Sequence, residues 1–124
     1  MIHCQNIYIT VLIYMPTSIA HLRRKRQALI QRLPPLARRV VRGSLIERYL
    51  PCGKPGCHCS SGRGHGPKYY LSVSYPTGRP QLQYLSQRQQ AQVRTLLKNF
   101  QHVRDLLEQI CDINRQLLRR QEKV

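Results

Sequence analysis

The sequence predicts an α+β fold: a small antiparallel sheet of about three strands with a zinc-knuckle loop, an N-terminal basic helix and a long C-terminal coiled-coil-like helix. Three observations predict it. Apolar residues recur at helical spacing before Pro34-Pro35 and again, as a heptad, after Pro80. Between these stretches the period drops to two, with Tyr69, Leu71, Val73 and Tyr75 on one face and Lys68, Tyr70, Ser72 and Ser74 on the other. Joining the strand-like runs, Cys52, Cys57 and Cys59 crowd into a segment rich in glycine and proline.

Each element follows from local chemistry. Residues 1–16 form an extension; residues 7–15 are mostly apolar and β-branched but too few to span a bilayer, and no Lys or Arg precedes them as a signal peptide requires. Met15 is a plausible alternative start, with Pro16-Thr17-Ser18 as a helix entry. From Ser18, Ile19, Leu22, Leu29, Ile30 and Leu33 mark one helical face of a basic segment, 17–42, that Pro34-Pro35 interrupts; a second short helix is expected over 36–41. Gly43 opens a β-domain, 43–85, with strands expected over 44–50, 68–75 and 81–85; Pro76-Thr77-Gly78-Arg79 supplies the hairpin turn.

The last segment, 86–124, is a long amphipathic helix. Ser86 and Gln89 have the spacing of a capping box. Val93, Phe100, Leu107 and Asn114 then take one heptad position, and Leu96, Val103, Ile110 and Leu117 the other. A helix of roughly 50 Å is too long for so small a sheet to cover, so it needs a helical partner. Either the helix beginning near Ser18 folds back antiparallel, or a second subunit supplies the partner over residues 87–120; Asn114 in a core position tilts the expectation toward a homodimer.

The cysteine loop carries the candidate site. Zinc takes four thiolate or imidazole ligands in a tetrahedron, and the backbone must turn sharply to bring them together. Cys52, Cys57 and Cys59 offer three ligands. His65, flanked by Gly64 and Gly66, is the first choice for the fourth, whereas His58 sits between two ligands and is the alternative. The Cys-x4-Cys-x-Cys spacing differs from the doubled Cys-x2-Cys of common fingers. Competing assignments are free or redox-active thiols, a disulfide, and a Cys-His nucleophile; the odd cysteine count argues for a reducing, cytoplasmic setting. Cys111 lies within the long helix and reads as a small buried residue.

Charge bounds the function. The 124 residues carry 21 Lys and Arg against 5 Asp and Glu, and residues 17–42 hold eight cations with no acid. Such a chain repels itself and attracts polyanions, so nucleic acid, DNA first, is the expected partner. Arg23, Arg24, Lys25 and Arg26, with Arg38, Arg39 and Arg42, form the clusters suited to phosphate contact. Lys54 and Arg63 in the cysteine loop, Lys68 and Tyr70 on the polar face of the hairpin and Arg79 at its tip complete the candidate surface, with Tyr70 able to stack on an unpaired base. An enzyme is not expected. Asp105, Glu108 and Asp112 share one helix beside Arg104 and Arg115, where ion pairs explain them better than a two-metal site.

Arg42-Gly43-Ser44-Leu45, Arg48-Tyr49, Cys52-Gly53-Lys54-Pro55-Gly56-Cys57-His58-Cys59, His65-Gly66-Pro67-Lys68-Tyr69-Tyr70-Leu71-Ser72 and Ile113-Asn114-Arg115-Gln116-Leu117-Leu118 resemble a family of small bacterial and archaeal proteins of unknown function, often labelled transposase-like. The resemblance covers roughly residues 40–120; Lys68 stands where other members often have tyrosine. It implies a link to mobile elements, the same cysteines with His65 as the site, and no defined reaction. The expectation is a DNA-binding accessory protein, or else a module that recruits a transposase-type partner through its long helix.

Overall fold

The computed structural model describes residues 16–124; Cys4 and the apolar stretch 7–15 lie outside the described residues. Helix α1 spans Ile19–Gln31 and α2 Leu33–Ala37, followed by strands β1 (Ser44–Leu50), β2 (His65–Val73) and β3 (Gln81–Leu85), and helix α3 (Gln87–Arg119). The α+β expectation holds. Contacts divide the described residues into two compact units, Leu33–Asp105 and a discontinuous one that joins the residues up to Arg32 with Leu106–Val124.

In the first of these the strands form one antiparallel sheet in the order β1-β2-β3. The pairing runs from Ser44↔Ser72 to Leu50↔His65 on one side of β2, with an irregularity between Arg48 and Leu50, and from Tyr69↔Leu85 to Val73↔Gln81 on the other. Leu71, Leu85 and Val93 are the buried centre, and Val41, Leu45, Tyr69, Val73 and Leu97 pack around them. Burying a leucine of this kind stabilises the fold by about 2 kcal/mol. The connector before β1 is tied to α3 by the Val41 N–H donating to the Leu96 carbonyl and by the Asn99 amide donating to the Arg39 carbonyl. At the start of α3 the capping box forms in both directions: the Gln89 N–H donates to Ser86 Oγ, and the Ser86 N–H donates to Gln89 Oε1.

In the discontinuous unit, Ser18 caps α1 by accepting the His21 N–H, and Leu22 and Leu29 are buried on one face. Leu106, Ile113 and Leu117 are buried on the C-terminal half of α3. The two stretches run antiparallel, clasped by Arg23 on Glu122, by Arg26 donating to Asn114 Oδ1, and by Arg120 on the Thr17 carbonyl. The helical partner that α3 requires is thus present in its own chain.

Three details depart from the sequence pattern. Helix α2 begins at Leu33 instead of 36, because Pro34 and Pro35 fall in its first turn, where a missing N–H leaves no hydrogen bond unmade. Strand β2 ends at Val73, so Tyr75 is 48% exposed beneath the Arg42 guanidinium instead of packing with Tyr69. The heptad does not continue through α3: Leu107 is exposed and Asn114 bonds Arg26, while Leu106 and Ile113 take the buried places. A single seam assumes one partner along the whole helix. Here α3 contributes to two units, and Leu106, Ile110, Ile113 and Leu117 form a second stripe of their own.

Candidate metal centre

The loop of residues 51–64 leaves β1 and returns as β2, and the pairing of Leu50 with His65 closes its base. Gly64 makes this return possible. Its φ is +90°, and a Cβ there would stand 2.7 Å from the Leu50 carbonyl carbon, so only glycine brings the chain close enough to hand His65 to the strand. At the far side, Cys57 precedes a single 3-10 turn, His58–Ser60, held by the Ser60 N–H and hydroxyl donating to the Cys57 carbonyl.

This local path brings four side chains together. The sulfurs of Cys52, Cys57 and Cys59 and a ring nitrogen of His65 lie within 4.8 Å of one another. Cys52 and Cys59 are 3.3 Å apart at sulfur, and Cys57 Sγ stands 3.3 Å from His65 Nε2. These spacings exclude a disulfide, whose sulfurs would be about 2.05 Å apart. They bracket the edge of a tetrahedron with metal–sulfur bonds of about 2.3 Å, an edge of about 3.8 Å. The donor set therefore fits a four-coordinate metal ion. His58 is excluded from it: its exposed ring meets the His65 ring edge to face at 5.6 Å.

The electrostatics suit cation capture. The Cys52 thiol is drawn down to about 6, first by the Lys54 backbone and then by Cys59. Cys57 is lowered by the Cys59 backbone, the Cys59 thiol and His65. Cys59 accepts the Cys52 N–H, which pulls its thiol down, yet burial and the two neighbouring thiols outweigh this and push it up. The thiolates of Cys57 and Cys52 in turn hold the His65 imidazolium above its usual range. The lowered Cys52 and Cys57 thiols thus offer thiolate charge within a small volume, which a divalent cation would neutralise.

The expected phosphate-binding residues are dispersed. Arg24, Lys25, Arg38, Lys54, Lys68 and Arg79 are exposed. Arg23 and Arg26 are engaged with Glu122 and Asn114, and Arg42 donates to the Ser74 carbonyl. Arg63 lies over the Tyr49 ring at 4.7 Å, and Arg39 lends its carbonyl to Asn99. Tyr70 faces outward on the sheet, as its alternation predicts, but it stands beside two residues that sequence reasoning passed over, Arg48 and Tyr84. The pairing register of the hairpin, with Tyr70 opposite Tyr84, is the signal that could have found the second.

No curated protein and no solved structure matches the chain. A family match covers residues 19–95, from the start of α1 into α3. It takes in both α1 and the whole metal loop, and it begins earlier and ends earlier than the motif resemblance. Covering more than half of the sequence, it shows that the chain belongs to the family described as domain of unknown function DUF6788.

Proposed function

We propose that the protein binds DNA through its cationic surface, with a structural zinc ion held by Cys52, Cys57, Cys59 and His65 fixing the loop between β1 and β2. One observation carries the binding: 21 basic side chains meet only 5 acidic ones. Of those five, Glu122 and Asp112 are already paired, with Arg23 and Arg115. The remaining cations far exceed the acids left to neutralise them, and a polyphosphate is the partner that such a surplus selects. The choice of zinc rests on the donor set, since three thiolates and an imidazole suit a soft or borderline ion and leave no open position for a reacting water. Bound there, the ion would staple the loop as a disulfide staples a secreted domain. The site's role is thus support, and the expectation of a non-enzyme stands as part of this proposal.

Binding of a labelled 20-base-pair duplex, followed by anisotropy across a salt series, tests the proposal. Affinity should fall linearly on logarithmic axes, and Arg24→Ala with Lys25→Ala should reduce the slope by about 2, because each phosphate contact contributes about 0.9. These two residues are chosen because Arg23 and Arg26 already serve the clasp with the C-terminal stretch. A slope unchanged in that variant, with affinity no better than for heparin, would overturn the proposal.

A second reading, recruitment of a transposase-type protein through α3, has one observation in its favour. Leu107 and Leu118 are 47% and 62% exposed on the C-terminal half of the helix, next to the exposed Cys111. A single protein recovered stoichiometrically after nuclease treatment, and lost with Leu107→Ser and Leu118→Ser, would support it.

A further inference from the structure

We propose that the outer face of the sheet is a stacking platform for single-stranded DNA, with Tyr84 as the ring that meets a base. This rests on the DNA-binding proposal above and names the form of the nucleic acid and the place where it lies.

The face is defined by alternation. With Leu71 and Leu85 turned inward, the neighbours Ser44, Ile46 and Arg48 on β1, Lys68, Tyr70 and Ser72 on β2, and Leu82 and Tyr84 on β3 point to the opposite side. Ile46, Tyr70 and Tyr84 are directly paired and form one row across all three strands. The third strand is the informative one. Its polar residues, Gln81 and Gln83, share the parity of buried Leu85, while its large apolar residues, Leu82 and Tyr84, lie outside at 45% and 60% exposure. A sheet with one solvated face ordinarily shows the reverse pattern. Apolar side chains are therefore kept on the open face at the expense of the covered one.

The arrangement of the rings says what that face accepts. Tyr70 and Tyr84 meet edge to face, 5.7 Å between centroids at 70°, so the half-buried Tyr70 braces Tyr84 instead of sharing its stack. The Arg48 guanidinium lies 5.7 Å from the centre of the Tyr70 ring. Arg48 and Lys68 are cross-strand partners, a like-charge pair that is unfavourable unless an anion sits between them. Among the described residues neither has a carboxylate partner. Exposed ring, aliphatic neighbours and a paired cationic rim match, in order, a base, a sugar and a phosphate. Bases within a duplex already stack on each other and offer no free ring face, so the occupant is single stranded. The choice of DNA over RNA is carried over from the proposal above, and the uridine probe below tests it.

The test uses the full zinc-loaded chain and three fluorescein-labelled probes: a 15-mer of deoxythymidine, a 15-mer of uridine and a 15-base-pair duplex. Tyr84→Ala should weaken binding of the deoxythymidine probe by about 5- to 100-fold, the range for loss of one base–aromatic stack. Tyr84→Phe should retain it, and duplex affinity should change less than about twofold in either variant. Tyr84 is largely exposed, so its removal leaves the core intact, which far-ultraviolet circular dichroism would verify. If Tyr84→Ala and Tyr70→Ala both bind the deoxythymidine probe as the wild type does, while Arg24→Ala with Lys25→Ala still loses duplex affinity, the platform is refuted and the broader DNA-binding proposal survives. If no probe binds at all, both fall. Tighter binding of the uridine probe, by about tenfold or more, would overturn the assignment to DNA.

Discussion

The two connections of the sheet do the same topological task by different physics. Residues 74–80 turn β2 into β3 with local means, Pro76 and Gly78 at φ +88°, to which the Arg42 side chain adds one distant contact by donating to the Ser74 carbonyl. Residues 51–64 turn β1 into β2 over a longer path, and the groups that converge inside it are three sulfurs and an imidazole. Backbone preference suffices for a short turn. A long, glycine-rich loop exposes most of its residues and has little apolar surface to bury, so the proposed metal, shared by those side chains, would supply its order.

Removing the metal should break this comparison most visibly. In zinc-loaded protein treated with a chelator, or in Cys59→Ser, amide exchange across residues 51–64 should accelerate by at least about tenfold while residues 74–80 change less than about twofold. Equal acceleration in both connections would mean that the loop is not ordered by its ligands. Acid should act in the same direction. Every ligand must be deprotonated to bind, Cys52 ionises at about 6, and the raised pKa of His65 makes proton competition at that ligand begin earlier as pH falls. Zinc affinity should therefore weaken steadily on acidification, with metal content after equilibration full above neutrality and lost in acid.

A pair of glycine substitutions sharpens the contrast on a smaller scale. Gly64 and Gly78 have nearly equal positive φ, but a Cβ at Gly64 would collide with the Leu50 backbone, whereas one at Gly78 meets nothing within 4 Å. Gly78→Ala should cost only the conformational term, about 1 kcal/mol. Gly64→Ala should cost about 2–3 kcal/mol and loosen zinc binding as well, because it moves His65. Urea denaturation of both variants, with zinc content measured alongside, checks the pair. The smallest effect belongs to Arg63→Ala, which removes one exposed cation from the Tyr49 ring and should lower stability by about 0.5 kcal/mol.

What was legible in the sequence is what local chemistry decides. The strands at 44–50 and 81–85, the capping box at Ser86 and the convergence of Cys52, Cys57, Cys59 and His65 all follow from spacing and residue type over short distances. His58, between Cys57 and Cys59 in sequence, lies outside the cluster as that position suggested, its ring meeting the His65 ring instead. What escaped depends on partners distant in sequence. Arg23 and Arg26 looked like free cations until Glu122 and Asn114 met them. The change of buried face along α3 arises because two units claim different parts of one helix, and no repeat in the sequence announces where that change falls. Tyr84 was hidden because its partner row is set by pairing register, a property of the sheet and not of any single strand.

The clasp between the two ends of the described chain has a consequence for the order of events during synthesis. Everything that builds the sheet unit lies in one continuous stretch, Leu33–Asp105, so its contacts are all available once α3 is part-way out of the ribosome. The bonds of Arg23 to Glu122 and of Arg120 to Thr17 join residues about as far apart as the described chain allows. Helix α1 must therefore wait, with Leu22 and Leu29 uncovered, until the last turns of α3 emerge.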